Sequence, residues 1–258
     1  MTGAVVSTVT ARDNPLLVRL RRLQHGGTAY RKAGEIWIEG EHLCTALRAR
    51  GREPLQALVS ESAYAQPALR ELAHAAPRVT RVSDALFAGV SELPSPAGIG
   101  FVVSLPATPA LQTDAASIVL DCVQDAGNVG SMLRSASALG FKQVLALEGT
   151  AGLWSPKVLR AGMGAHFALD LIEGLSAGDL QALRVPLLAA SAHAAQTLHA
   201  AALPFPCAWV FGHEGQGIDD AVAARCHMTL RIAQPGGEES LNVAAAAAIC
   251  LYASRVAA

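Results

Sequence analysis

Residues 117–123, Ser-Ile-Val-Leu-Asp-Cys-Val, run directly into residues 124–134, Gln-Asp-Ala-Gly-Asn-Val-Gly-Ser-Met-Leu-Arg, and this junction decides how the larger part of the chain is read. The first seven residues form an apolar strand. From Val129 the spacing becomes helical, with Val129, Met132, Leu133, Ala136 and Leu139 on one apolar stripe and Gly127, Gly130, Ser131 and Arg134 on a different face. Small residues on that second face let a partner approach the backbone, with a guanidinium beside it. A strand-to-helix turn of this kind can offer free amide groups to an anion or a ribose. Asn128 is equally suited to capping the helix, and Arg134 to being a solvated arginine.

Outward from this junction, apolar strands at 117–123, 143–147, 185–190, 208–211 and 228–232 alternate with helical patterns at 129–140, 155–163, 176–184 and 240–255. Continuous apolar strands joined by helices predict an α/β domain with a mostly parallel sheet covered on both faces. Upstream, Pro94, Pro96, Pro106 and Pro109 bracket one short apolar strand, and the composition shift places a boundary near residue 107. The expected domains are 1–107 and 108–258. The first reads as a smaller α/β module, with a helix from Asn14 to Leu23, a strand at Ile36–Ile38, a helix from Glu41 to Arg50 and a strand from Gln56 to Ser60.

Composition excludes several classes. With 52% hydrophobic and 16% charged residues among 258, the chain can bury a large core and is not disordered. The longest apolar run, Val243 to Ala253, is about half of the roughly 20 residues a membrane span needs. The first residues lack the basic-then-apolar pattern of a secretion signal, so a cytoplasmic protein with no membrane partner is expected. Cys44, Cys122, Cys207, Cys226 and Cys250 are odd in number, far apart and never in a C-x-x-C pair, which suits buried thiols better than a disulfide framework or zinc ribbon. Net charge is −1, yet residues 1–34 carry six basic groups against one acid; that +5 leaves −6 for the remaining 224 residues. A basic edge on a near-neutral body suits a selective anionic partner rather than a general polyanion binder.

Two further glycine-bearing segments follow. In 209–218, Trp-Val-Phe-Gly-His-Glu-Gly-Gln-Gly-Ile, an apolar strand meets a turn whose glycines permit close backbone approach, with Glu214 at a strand's carboxyl end, where open α/β sheets bind ligands. The spacing is not G-x-G-x-x-G, which argues against a dinucleotide fold. His213-Glu214 and the scattered His193 and His199 lack H-E-x-x-H spacing, so no metal is expected. In 230–243, a strand and a Pro-Gly-Gly loop precede an alanine-rich helix that Ser240 or Asn242 could cap.

Taken in order, D-x-x-x-D-x-G-N-x-G-x-x-x-R (121–134), F-G-x-E-G-x-G (211–217) and a strand ending at Ile232 followed by E-S-L-N-V-x-x-A (239–246) resemble the three motifs of the SpoU/TrmH branch of the SPOUT RNA methyltransferases. Residues 155–165 also look like that family's stretch between the first two motifs. Residues 30–41, with Tyr30-Arg31-Lys32 before Ile36-Trp37-Ile38, are similar to its ribosomal-protein-like RNA-binding module. The resemblance implies a trefoil-knotted C-terminal domain, which topology rules alone would have rejected. It also implies an S-adenosylmethionine pocket at the knot, a homodimer through that domain, and methyl transfer to a ribose 2′-hydroxyl of structured RNA. Ribosomal RNA is the preferred substrate; a transfer-RNA methyltransferase and a non-catalytic RNA-binding relative are the alternatives.

Carried over by resemblance, Gly212, Gly217, Ile232 and Leu241 would hold the cofactor, with Ala190 in the same cleft. Arg134 would serve the 2′-hydroxyl, surrounded by Asn128, Glu214, Ser240 and Asn242. Arg21, Arg22, Arg31 and Lys32 would contact RNA. Because a guanidinium is always protonated, Arg134 is better suited to holding phosphate and stabilising charge on the 2′-oxygen than to taking a proton. Glu214 could pair with a backbone amide or Asn128 and order its loop. The sequence departs from the family pattern at Ala126 and Ala244, neither of which removes a polar group from the implied centre, and in the loop 233–237, a departure that bears on contacts to the base.

Overall fold

The computed structural model of the chain describes residues 4–236 and 240–256. Two compact units are present: residues 1–107 with 154–167, and residues 108–153 with 168–258. The expected second domain ran unbroken from 108 to 258. The structure differs in that the segment 154–167 groups with the first unit.

The first unit contains β1 (Val5–Val9), α1 (Pro15–His25), α2 (Ala29–Ala33), β2 (Glu35–Glu39), α3 (Glu41–Ala49), β3 (Gln56–Ser60), α4 (Glu61–Ala65), α5 (Pro67–Ala73), β4 (Arg78–Val82), α6 (Asp84–Ala88) and β5 (Ile99–Ser104). Its sheet has the order β1-β4-β3-β5-β2, parallel at β1/β4 and β3/β4 and antiparallel at β3/β5 and β2/β5. Leu17 and Leu20 of α1 and Trp37, Phe87 and Phe101 are all within 2% of complete burial. Gly100 is required opposite Trp37, since a Cβ there would lie 2.3 Å from the indole. The returning segment carries a further helix, Pro156–Gly162, started by Pro156 and capped by Ser155. It belongs here physically: Arg160 pairs with Glu92 at 3.4 Å, and His42 Nε2 lies 3.2 Å from the Met163 carbonyl oxygen.

The second unit holds β6 (Ser117–Leu120), α7 (Ala126–Ala138), β7 (Gln143–Leu147), then, counting Pro156–Gly162 as α8, β8 (Asp170–Leu175), β9 (Leu187–Ala190), β10 (Gln196–Thr197), β11 (Ala208–Phe211), α9 (Asp220–Ala223), β12 (Met228–Arg231) and α10 (Val243–Val256). All seven strands are parallel, in the order β10-β12-β9-β11-β6-β7-β8. The α/β class expected from the alternation is therefore present. Alternate side chains of each strand go to opposite faces. Val119, Leu145, Ile172, Leu187 and Val210 form one core with Leu180, Leu183 and Val222. On the other face Trp209 donates from Nε1 to Ser254 Oγ of α10 at 2.8 Å, and α10 packs along α7.

Several boundaries move for local reasons. The strand from Ser117 ends after Leu120: the Asp121 N–H makes a last ladder bond to the Phe211 carbonyl, and Cys122 then takes a left-handed φ of 56° that turns the chain out of the sheet. The helix expected over 176–184 is a short 3-10 turn, Ala177–Ala182, held by the Ser176–Asp179 capping box. Strand β8 was not expected, since Asp170, Glu173 and Gly174 interrupt its apolar pattern. Strand β9 starts at Leu187 rather than Val185, after Pro186, which has no N–H to give a neighbour.

Candidate functional site

Four adjacent parallel strands, β12-β9-β11-β6, place Ile232, Ala190, Gly212 and Asp121 side by side at their carboxyl ends. At about 4.8 Å per strand these ends span roughly 15 Å. This is the edge of an open α/β sheet where ligands bind. Ala190 and Ile232 are half-buried, Gly212 is buried, and Leu241 leaves an apolar side chain 39% exposed.

Helix α7 begins at Ala126, three residues before the expected start, because Asp125 is its N-cap: Asp125 Oδ1 accepts from the Asn128 N–H at 2.7 Å. Asn128 therefore lies inside the first turn, and its side chain is not needed as a cap. Its Nδ2 donates to Glu214 Oε1 at 3.1 Å and its Oδ1 accepts from Asn242 Nδ2 at 2.9 Å. The orientation has a simple cause. An ionised carboxylate only accepts, so Asn128 must turn its NH2 toward Glu214 and its oxygen toward Asn242. Asn242 in turn caps α10, its Oδ1 accepting from Ala244 N at 2.9 Å and Ala245 N at 3.2 Å. One hydrogen-bonded chain thus joins all three glycine-bearing segments.

Glu214 stands on the turn after β11. Residues 213 and 217 exchange two backbone bonds, each 2.9 Å. His213 Nδ1 accepts from Gly215 N and Gln216 N at 3.0 and 3.2 Å, closing the turn from inside. Partial burial pushes the Glu214 carboxyl up, but the Asn128 amide and backbone N–H groups, including that of Asp125, outweigh it and hold its pKa below the ordinary value. Glu214 is an acceptor that orders the loop. Gly212 is fixed by sterics: a Cβ there would sit 2.2 Å from the Gly217 carbonyl oxygen and 2.4 Å from Ile218 N. Gly217 has φ +76°, a region that L side chains rarely adopt.

Asp121 went unassigned in the reading by residue type. It is 4% exposed, and its Oδ2 accepts from Asp219 N at 2.7 Å, tying the end of β6 to the segment after the turn. Asp219 Oδ1 caps α9 through Ala221 N at 2.8 Å. The signal was available, since an acid within an apolar strand calls for a buried partner. Arg134 lies exposed on α7 and makes no hydrogen bond or ion pair among the described residues, and Ser240, also exposed, makes none among them either. The structure therefore joins Asn128, Glu214 and Asn242 directly, and links neither Arg134 nor Ser240 to them. Glu239 of the third motif lies outside the described residues.

Residues 115–252 match the model of the SpoU rRNA methylase family. The chain belongs to that family. Among its relatives, the 23S rRNA (guanosine(2553)-2′-O)-methyltransferase RlmP of Bacillus subtilis is 32% identical over 174 residues, covering 66% of this chain and 70% of that one. A crystal structure described as an RNA 2′-O ribose methyltransferase superposes with a TM-score of 0.80 at 29% identity, covering 96% of this chain and 98% of that one. The SpoU methyltransferase AviRb from Streptomyces viridochromogenes, solved in complex with AdoMet, shares the fold at a TM-score of 0.85 and 23% identity, over 94% and 97% of the two chains.

In this SpoU methylase the basic residues expected to meet RNA lie in the first unit. Arg22, Arg31 and Lys32 are exposed on α1 and α2, two helices in contact with each other. Arg21 is half-buried and donates from Nη2 to the Arg12 carbonyl, so it is the least available of the four. Cys44, Cys207 and Cys250 are buried as expected, whereas Cys122 and Cys226 are half-buried. Burial pushes Cys207 and Cys226 to about 11 and Cys250 to about 12. No helix among the described residues is long and apolar enough to cross a membrane.

Proposed function

We propose that this SpoU-family chain transfers a methyl group from S-adenosylmethionine to a ribose 2′-hydroxyl of structured RNA, with ribosomal RNA as the substrate class. The observation that carries the reading is the Asn128–Glu214–Asn242 junction, which gathers all three family motifs at the carboxyl ends of adjacent parallel strands. The residues present suit the cofactor: backbone at Gly212 and Ile232, the small Ala190 and the exposed apolar Leu241 offer an adenosine both amide groups and apolar surface. The sulfonium supplies an already activated methyl group, so the protein's task is to hold a hydroxyl in line with it. Glu214, kept ionised, and Asn128 fix the two loops against each other. Arg134, exposed on the same helix as Asn128, has its guanidinium available for the target phosphate and for charge on the 2′-oxygen.

Two further parts of the reading have support. The placement of β11 between β6 and β9, with α10 packed back along α7, supports a knotted C-terminal crossing. Ile249, Tyr252 and Val256 are 41, 61 and 68% exposed at helical spacing on α10, an apolar face suited to pairing with a second copy. Sedimentation giving only monomer at tens of micromolar would remove the dimer. The activity is tested by incubating the purified protein with labelled S-adenosylmethionine and, separately, ribosomal and transfer RNA from cells lacking it, then analysing nucleosides. Label in a 2′-O-methylnucleoside from the ribosomal pool is expected. Label only in transfer RNA would move the substrate, and no label with no cofactor binding would overturn the activity.

A further inference from the structure

The edge of a sheet exposes a row of unpaired N–H and C=O groups, and proteins guard it with charge, brevity, a bulge or a covering element. Among the described residues there are four sheet edges, and three are guarded in these ways. In the second unit β10 is only two residues long, and β8 carries Asp170 and Glu173 and a register break against Ala146 and Leu147 of β7. In the first unit β2 carries Glu35 and Glu39 and has α8 packed against it. The fourth edge, β1, has none of these devices. Its five residues, Val-Val-Ser-Thr-Val, include no charge and no proline and run in unbroken register with β4. Val5 and Val6 are 69 and 42% exposed, Ser7 and Thr8 are exposed, and Val9 is half-buried. Because successive side chains point to opposite faces, the strand is open on both faces as well as along its edge.

Pairing with β4 fixes which way each backbone group of β1 points. The Val5 N–H donates to the Pro77 carbonyl at 3.0 Å, so Val5, Ser7 and Val9 turn their groups toward β4 while Val6 and Thr8 turn theirs outward, where the sheet has no further strand. Outward groups on two residues with one residue between them suit an antiparallel neighbour. Val6 and Thr8 would each exchange two bonds with the residue opposite, and Ser7 would form the non-hydrogen-bonded pair between them. A second copy of β1 supplies that neighbour in matching order. Turned about a twofold axis at Ser7, it sets its own Thr8 against Val6, its Val6 against Thr8, its Val9 against Val5 and its Ser7 against Ser7. Every outward donor then meets an outward acceptor, and every pair except the central one joins two β-branched side chains, which fit well across strands. No charge is placed opposite another. The arrangement is isologous, so each copy's free edge is closed by the other's.

We propose that β1 is a self-pairing edge: two copies of the chain join their first units antiparallel through β1, with the twofold axis at Ser7, merging two five-stranded sheets into one. This contact is distinct from the apolar face of α10 and does not depend on the methyl-transfer reading. Two five-residue strands bury less than the roughly 1,200 Å2 at the low end of stable interfaces, so the pairing is weak by itself and forms at high protein concentration. The test is sedimentation of the full-length protein from micromolar to near-millimolar concentration, in the wild-type chain and in Tyr252→Glu, which charges the α10 face. Tyr252→Glu is expected to show a reversible dimer at the top of that range. Thr8→Pro removes an outward N–H and leaves the bonds to β4 in place. It takes away two of the four bonds between copies, so added to Tyr252→Glu it should weaken the association by about 5- to 150-fold.

Because a proline could disturb the strand itself, two further measurements stand beside it. Ser7→Cys sets two thiols across the axis, where opposed residues have Cα atoms about 4.5 Å apart, within the range a disulfide spans. Mild oxidation should yield a covalent dimer from Ser7→Cys and not from Thr8→Cys, whose thiol faces Val6 of the second copy. Amide exchange at Val6 and Thr8 of the wild-type protein should slow as its concentration rises. A Tyr252→Glu protein that stays monomeric throughout, with no Ser7→Cys dimer, overturns the pairing and leaves the α10 face as it stands. Association lost in Thr8→Pro and untouched by Tyr252→Glu supports the pairing and removes the α10 dimer. Slow exchange at Val6 and Thr8 that is the same at every concentration means that another segment of the same chain covers the edge, and overturns the proposal.

Discussion

Replacing Gly212 by alanine puts the packing of the strand-end site under direct test. The added Cβ would meet the Gly217 carbonyl oxygen at 2.2 Å, its carbon at 2.3 Å and Ile218 N at 2.4 Å. All three are backbone atoms, so no side chain can swing away and the turn itself must open. Opening breaks the two 2.9 Å bonds between residues 213 and 217, worth about 1–3 kcal/mol together. If Asp219 N is drawn off the buried Asp121 carboxylate, the charge-assisted bond adds about 1.5–3 kcal/mol. A total near 3 kcal/mol lowers the melting temperature by roughly 6–12 °C for a protein of this size. Gly215→Ala is the matched control, because its Cβ would meet only the His213 ring at 3.7–3.8 Å, an ordinary contact. Calorimetric melting should separate the two variants clearly. Titration with S-adenosylmethionine should show weakened binding only for Gly212→Ala. Equal melting of both variants, or a Gly212→Ala protein within about 2 °C of wild type, would refute the steric reasoning.

Other outcomes follow from single contacts. Arg134→Lys keeps cofactor affinity and loses about 100-fold in turnover, because lysine cannot make a two-pronged phosphate contact; unchanged turnover would take Arg134 out of the mechanism. The Glu214 carboxyl titrates below its ordinary 4.5, so its ordering of the loop is complete above that value and is lost as pH falls through the depressed midpoint. Carboxyl-carbon NMR should show that midpoint moving up in Asn128→Ala, and a stationary midpoint would mean the 3.1 Å bond has no hold on it. Ser254→Ala strands the Trp209 Nε1–H in a fully buried position at about 1–3 kcal/mol, measurable as a lower denaturant midpoint with an unchanged slope.

The strands at 143–147 and 208–211 were readable to the residue, because each is an apolar run buried on both faces, Gln143 being its one polar member. Edge strand β8 was not readable, since Asp170 and Glu173 break the apolar pattern, each half-buried and accepting a hydrogen bond, from Gln112 Nε2 and Leu153 N, that no local pattern encodes. The site was legible in its membership but not in its wiring. Period and residue type singled out Asn128, Glu214 and Asn242 separately. Their bonds join positions 86 and 114 residues apart, which no local pattern encodes. The helix start at Ala126 was missed for the same kind of reason: Asp125 and Asn128 are both good caps, and the choice between them depends on Glu214 engaging the asparagine.

The helix Pro156–Gly162 sits inside the stretch that matches the methylase family, residues 115–252, yet by its packing it is part of the other unit. The segment that is inherited and the body that folds are therefore not the same set of residues. Cutting the gene at codon 107 would give one piece lacking a helix that packs against its β2 and α1, and another carrying Val158 and Leu159, both buried in the whole protein, without those two partners. Exchanging first units between relatives meets the same obstacle. A graft that exchanges only the first 107 residues must also match a helix encoded some 50 residues further on, so the two halves of the gene are constrained to change together.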